Sequence, residues 1–116
     1  MGAEVSGRGA RPGLQRGRLL KEELQPRTFV FPDQLVDRTK DRVQTFFGNG
    51  LVAHIALNPP FAPRQNRIVF DCASELGIKS VLGGTYCCME GPAFSTKAES
   101  EMHRGFGWSL IGMTAA

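Results

Sequence analysis

The sequence predicts an α/β domain with a largely parallel sheet, and three observations carry that prediction. From Leu51 onward, apolar runs of strand length alternate with stretches of helical period, in the order strand–helix–strand–helix–strand. The run Leu51-Val52-Ala53-His54-Ile55-Ala56-Leu57 is almost continuously apolar, the pattern of a strand buried on both faces. Between Pro63 and Leu76, Ile68, Cys72 and Leu76 recur at four-residue steps beside Val69 and Ala73, which makes an amphipathic helix.

The elements follow in order. Residues 1–18 hold Gly2, Gly7, Gly9, Gly13 and Gly17 among arginines, a composition that cannot bury enough apolar area to offset ordering entropy, so a disordered basic tail is expected there and the domain over 19–116. Thr28-Phe29-Val30-Phe31 is rich in strand formers and Pro32 stops it. Asp33 to Thr39 leads into a polar loop through Lys40, Asp41 and Arg42, and Gly48-Asn49-Gly50 marks a turn. Asn58-Pro59-Pro60 ends the Leu51–Leu57 strand, because proline cannot donate to a ladder. Pro63 suits the first turn of the helix and Gly77 its C′ position. Ile78 to Met89 reads as a strand interrupted by Gly83-Gly84, a bulge or a close backbone approach. Ser95 or Thr96 caps a second helix to about His103, with Glu99 three residues after Thr96 as a capping box. Phe106 to Thr114 holds the last strand. It stops at Ala115-Ala116 with nothing to cover it, so the chain is expected to be part of a larger domain.

Composition narrows the function classes. The 116 residues are 41% hydrophobic and 22% charged, which fits a small globular domain rather than a disordered chain. No apolar run approaches the ~20 residues of a membrane span, and no apolar stretch follows the N-terminal arginines as a secretory signal would require. The three cysteines lack metal-ligand spacing, and adjacent Cys87 and Cys88 face opposite ways in a strand; reduced thiols in a cytoplasmic protein are expected, with no metal and no cofactor. The net charge of +3 gathers at Arg8, Arg11, Arg16, Arg18 and Lys21, but no nucleic-acid-binding motif accompanies it, and a nucleic-acid binder is the reading set aside.

The stretch Gly83 to Ala98 carries the chemistry. It delivers an acid, Glu90, to a strand end, where α/β sheets bind ligands, then breaks the strand at Gly91-Pro92. Phe94 follows at the turn, where an aromatic face can stack on a planar base, and Ser95 and Thr96 offer hydroxyls that donate and accept. The plainer alternative, favoured by the pattern alone, has Phe94 in the core and Ser95 only capping the helix. Met113 and Thr114 end the last strand: a thioether that can lie against a sugar, and a hydroxyl that can reach a phosphate. His54 inside its apolar run reads alone as a satisfied core group, and His103 as a residue favoured by a helix C-terminus.

Lys21-Glu22-Glu23-Leu24-Gln25-Pro26, Phe31-Pro32-Asp33-Gln34-Leu35-Val36-Asp37-Arg38-Thr39, Gly83-Gly84-Thr85-Tyr86, Met89-Glu90-Gly91-Pro92-Ala93-Phe94-Ser95-Thr96-Lys97-Ala98-Glu99-Ser100 and Ile111-Gly112-Met113-Thr114 resemble the S-methyl-5′-thioadenosine phosphorylase family of the trimeric purine nucleoside phosphorylase group. The resemblance covers about Leu20 to Ala115 and implies a fragment of the nucleoside phosphorylase fold, a twisted mixed, largely parallel sheet flanked by helices. It implies a pentosyltransferase reaction, phosphorolysis of methylthioadenosine to adenine and 5-methylthioribose 1-phosphate, with inorganic phosphate as co-substrate and a homotrimer as the intact assembly. By the same resemblance Phe94 packs on the purine, Met113 lies under the ribose and Thr114 helps bind phosphate. His54 is lent to a neighbouring subunit's 5′-substituent pocket. Ser95 stands where relatives acting on 6-oxopurines carry glutamate to read N1–H, so serine favours a 6-aminopurine. The family's Gly-rich phosphate loop, its Arg-His pair and its Thr-Ala phosphate contact have no counterpart in residues 1–18. The general-acid aspartate is expected beyond Ala116, so no catalytic residue is assigned, and the chain is expected to be inactive alone. A methylthioinosine or 6-oxopurine phosphorylase fragment and a non-catalytic oligomerisation module are the alternatives.

Overall fold

The computed structural model describes residues 13–115 together with the backbone of 4–6 and 9–11. Of the expected 1–18 tail, residues 1–3, 7–8 and 12 lie outside the described residues. Within them, Glu4–Ser6 (β1) pairs antiparallel with Gly9–Arg11 (β2), and Arg18–Leu19 (β3) joins the main sheet.

The expected α/β class is observed. Phe29–Phe31 (β4) and Gln34–Arg38 (β5) precede Pro63–Glu75 (α1); Ser80–Leu82 (β6) and Thr85–Met89 (β7) lead to Lys97–Gly105 (α2) and Leu110–Gly112 (β8). The main sheet has the order β3-β8-β7-β5, with β5, β7 and β8 parallel and β3 antiparallel at the edge. β4 and β6 form a second, parallel pair. The two pairs are one ladder with a joint. Phe31 is opposite Leu82 and Gln34 opposite Thr85, so Pro32-Asp33 on one strand faces Gly83-Gly84 on the other. Proline has no N–H for a ladder bond. Gly83 and Gly84 have φ of 96° and 123°, which L side chains rarely adopt, and a Cβ on Gly84 would lie 2.7 Å from Ser109 Oγ. The glycine interruption is thus the close approach the sequence suggested. Asp33 bridges the joint: its N–H donates to Gly84 O at 3.0 Å, and its carboxylate accepts from Gly84 N at 3.2 Å.

The core lies on both faces of β7. Cys87, fully buried, packs with Leu20 and Ile111; Tyr86 and Cys88 pack on the other face with Leu110, Leu19, Val30, Leu35 and Phe61. Adjacent strand residues point to opposite faces, as expected for this Cys-Cys pair. α2 begins with the predicted capping box: Thr96 accepts from Glu99 N at 3.2 Å, and Glu99 accepts from Thr96 N at 2.7 Å. Gly77 follows α1 with φ of 71°, as its predicted position requires.

Four expectations are corrected. Asp33 to Thr39 is not a lead into a loop: five of these residues form β5, whose polar ends hid an edge strand half-buried at Leu35 and Val36. Leu51–Leu57 is not a buried strand; it has no regular structure and is exposed throughout, with Ile55 at 81%. No ladder partner reaches it among the described residues, so hydrophobicity alone did not bury it. α1 forms where predicted, but its inner face is shifted round the helix: Val69 and Ala73 of the predicted stripe stay inward while Ile68, Cys72 and Leu76 do not. Val69, Phe70 and Ala73 face β6, Phe70 meets Phe31 edge-on at 6.1 Å, and Ile68, Cys72 and Leu76 face out. Asn66 explains the rotation, since its amide donates to Pro32 O at 2.7 Å from that inner face. His103 is not placed by the helix dipole. It is 6% exposed and stacked on Trp108 at 5.2 Å, and burial pushes its imidazole below the ordinary histidine range, with Arg38 adding to the effect.

Candidate functional site

Three parallel strands, β5, β7 and β8, end on the same side of the sheet, and every predicted site residue but His54 follows one of those ends. In a parallel sheet the loops beyond the carboxyl ends are not constrained by the ladder, which is why such ends become sites.

β7 runs out at Met89 into Glu90 and a corner at Gly91-Pro92, where φ of Gly91 is 75°. Phe94 stands at this corner 75% exposed, so it is not a core residue, and the packing alternative for it falls. Ser95 is half-buried, and its hydroxyl donates to Met89 Sδ at 3.7 Å. Thr96, not Ser95, is the helix cap, which leaves the Ser95 oxygen free to accept from a ligand. β8 runs out into Met113, whose thioether lies against the corner: a Cβ on Gly91 would sit 2.8 Å from Met113 Sδ. Phe94, Ser95 and Met113 are thereby brought to one corner through Gly91 and Met89. Thr114 follows, exposed, its hydroxyl donating to Gln15 Oε1 at 2.7 Å.

Glu90 is placed differently from a residue awaiting a ligand. Its carboxylate accepts from the backbone N–H groups of Lys40 and Asp41 (the latter at 3.0 Å) and pairs with Arg42 Nε at 3.2 Å. The two backbone donors, with Arg42 behind them, hold it below the usual carboxylate range. The sequence places Arg42 in a polar loop and gives it no role. The structure shows its guanidinium also donating to Met113 O, with Met89 O at 3.5 Å and Cys88 Sγ at 3.7 Å. Arg42 and Glu90 are 48 positions apart and no local pattern connects them. His54 lies on the exposed 51–57 segment, where its side chain makes no hydrogen bond, ion pair or ring contact among the described residues.

A groove of about 440 Å³ opens beside these strand ends, lined by Leu35, Asp37, Thr39, Arg42, Phe61 and Ala115. Among the described residues there is no group of three or more His, Cys, Asp or Glu side chains able to hold a metal, and no helix long and apolar enough to cross a membrane. The exits of β7 and β8 thus offer an exposed phenyl face, a small hydroxyl, a thioether and a second hydroxyl, a set suited to a planar base joined to a sugar.

The comparisons with known proteins point to one family. Residues 18–116 match the model of the phosphorylase superfamily. The chain is 52% identical over 95 residues to an S-methyl-5′-thioadenosine phosphorylase of Koribacter versatilis, covering 82% of this chain and 32% of that protein. It is 51% identical over 96 residues to the enzyme of the same name from Geobacter sulfurreducens, covering 82% and 34%. A methylthioadenosine phosphorylase from an antarctic soil metagenomic library superposes with a TM-score of 0.80 at 42% identity, covering 84% of this chain and 35% of that one. The methylthioadenosine phosphorylase of Schistosoma mansoni in complex with adenine superposes at 0.78 with 27% identity, covering 84% and 43%. The chain spans about a third of the length of the curated relatives it matches.

Proposed function

The chain belongs to the phosphorylase superfamily, and from that premise we propose that its strand-end corner is the purine and ribose seat of an S-methyl-5′-thioadenosine phosphorylase. The carrying observation is Phe94, a large aromatic left exposed directly after a buried strand, beside Ser95 and Met113. A phenyl face on adenine contributes about 1–3 kcal/mol, by analogy with base stacking on single strands. Ser95 offers a hydroxyl, not a carboxylate, toward the edge where adenine presents an unprotonated N1, which disfavours 6-oxopurines. Met113 adapts to the ribose, and Thr114 gives up Gln15 to bind phosphate.

In the complete enzyme, phosphate oxygen bonds to the anomeric carbon as the bond to purine N9 breaks. The purine takes a proton at N7 and leaves as adenine, and the sugar leaves as 5-methylthioribose 1-phosphate. The described residues position the reactants. Glu90, the acid at the corner, is occupied by Lys40, Asp41 and Arg42 and is not assigned the proton. No cofactor and no nucleic acid enter this reading. The exposed run of Val43, Phe46, Leu51, Val52, Ile55 and Leu57 is more apolar surface than a small monomer usually leaves open. It fits a segment covered by a further copy of the chain, in an assembly read as the family's homotrimer, with His54 reaching a neighbour's site.

Saturation-transfer NMR of the purified chain with adenine tests the assignment. Adenine signal is expected with the native chain and is lost in Phe94→Ala; in Ser95→Glu, hypoxanthine replaces adenine as the preferred base. Absence of transfer at millimolar adenine, or equal transfer in Phe94→Ala, removes the assignment.

A further inference from the structure

Beyond the ends of β5, β7 and β8 no backbone ladder holds the exits in register, yet the corner depends on where they lie. β7 stands between β5 and β8, so the exits of those two are separated by two strand spacings, roughly 10 Å. Arg42, four residues past the end of β5, spans that gap. Its Nε donates to Glu90 at the β7 exit, and Nη2 donates to the carbonyl of Met113 at the β8 exit, with Met89 O at 3.5 Å. Glu90 answers by accepting from Lys40 and Asp41 N–H, which fixes the β5 exit in turn. The clasp is half-buried, with Arg42 28% and Glu90 31% exposed.

We propose that Arg42 is the positioning residue of this corner: it holds Met113 against Gly91, and so holds the sugar side of the seat at a set distance from Phe94. What the corner binds rests on the nucleoside reading above; the clasp itself does not. The chemistry selects arginine. One side chain must donate in several directions at once, to a carboxylate from Nε and to a carbonyl from Nη2, and a planar five-donor fork does this. A lysine ammonium can neutralise Glu90, but its single nitrogen does not reach both exits.

The test uses the full chain labelled at the methionine ε-methyls, with Met113 assigned by Met113→Leu, in native, Arg42→Lys and Arg42→Met forms. Both variants are expected to keep their helical circular dichroism and to shift the Met113 methyl resonance, while Met102, on the exposed side of α2, stays in place. Affinity for the nucleoside methylthioadenosine, whose sugar would meet Met113, is expected to fall roughly tenfold or more in both, since small misplacements at a site are costly. An unchanged Met113 methyl in folded Arg42→Lys and Arg42→Met overturns the proposal. So does loss of fold in both, which would make Arg42 a folding residue rather than a positioning one. A shifted methyl with no methylthioadenosine binding by the native chain upholds the clasp and overturns the nucleoside reading instead.

Discussion

Gly91→Ala is the sharpest probe of the corner. Alanine at φ of 75° pays the left-handed penalty of an L residue, about 1–2 kcal/mol. Its Cβ would also stand 2.8 Å from Met113 Sδ and 3.5 Å from Met113 Cε, roughly 1 Å inside ordinary contact with the sulfur. Methionine has three rotatable bonds, so the side chain yields before the backbone, at about 0.5–1.5 kcal/mol for an off-rotamer position. The sum is about 2–3 kcal/mol, a large part of a small domain's stability. Urea unfolding followed by the fluorescence of Trp108, the only tryptophan, reads it. The contact is isolated by repeating the substitution in Met113→Ala. There only the backbone penalty remains, and Gly91→Ala should cost about 1 kcal/mol less than in the native background. Equal costs in both backgrounds would show that Met113 does not lie on Gly91, and the corner as described would be wrong.

Two further outcomes are expected. Gly112→Ala would place a Cβ 2.1 Å from the Tyr86 hydroxyl oxygen and 2.9 Å from Cζ, an overlap on a rigid ring that should destabilise by about 3 kcal/mol. Tyr86→Phe should relieve much of it and cost little alone, because the hydroxyl is buried beside Thr114 without reaching hydrogen-bond geometry; a loss above about 1 kcal/mol for Tyr86→Phe in urea melts counts against this. Stability should be greatest between about pH 6.5 and 9. Buried His103 is held below its unfolded value of 6.5, so the unfolded chain binds the extra proton and stability falls as pH drops through that range; Glu90, held below 4.5, adds to the loss under that value. Burial pushes Cys87 from 9.0 up to about 11, so the folded form loses roughly 1–2 kcal/mol, after allowance for screening, as pH rises between them. His103→Phe should flatten the limb between pH 6.5 and 4.5, and an unchanged limb in melts across that range would count against the histidine.

What the sequence disclosed depends on how local its causes are. α1, α2, the Thr96 capping box and Gly77 rest on spacings of a few residues, and all were legible. The Gly83-Gly84 joint was legible as an interruption, but its partner, Pro32-Asp33, lies 51 positions away, as the Asp33–Gly84 bond shows, and only the pairing reveals a shared break. β5 was missed because Gln34, Asp37 and Arg38 are polar while its burial comes from β7 beside it. Leu51–Leu57 erred the opposite way: an apolar run signals a need for cover without saying what supplies it. The face of α1 turned on the bond from Asn66 to Pro32, which no periodicity contains. At the site, the Gly91-Pro92 break marked Phe94 and Ser95 and a strand end marked Met113 and Thr114, while the pattern alone favoured plain packing and their proposed roles came from the family resemblance. Arg42 was marked by neither, because its importance lies in reaching across an intervening strand.

The paired thiols of β7 give the molecule its own reporters. Cys72 sits on the outer surface of α1 and should react at once with an alkylating reagent, marking zero time. Cys87 and Cys88 are sealed on opposite sides of one strand, so each becomes reactive only when its own side opens. Their relative labelling rates would reveal whether the two halves of the interior come apart together or in sequence.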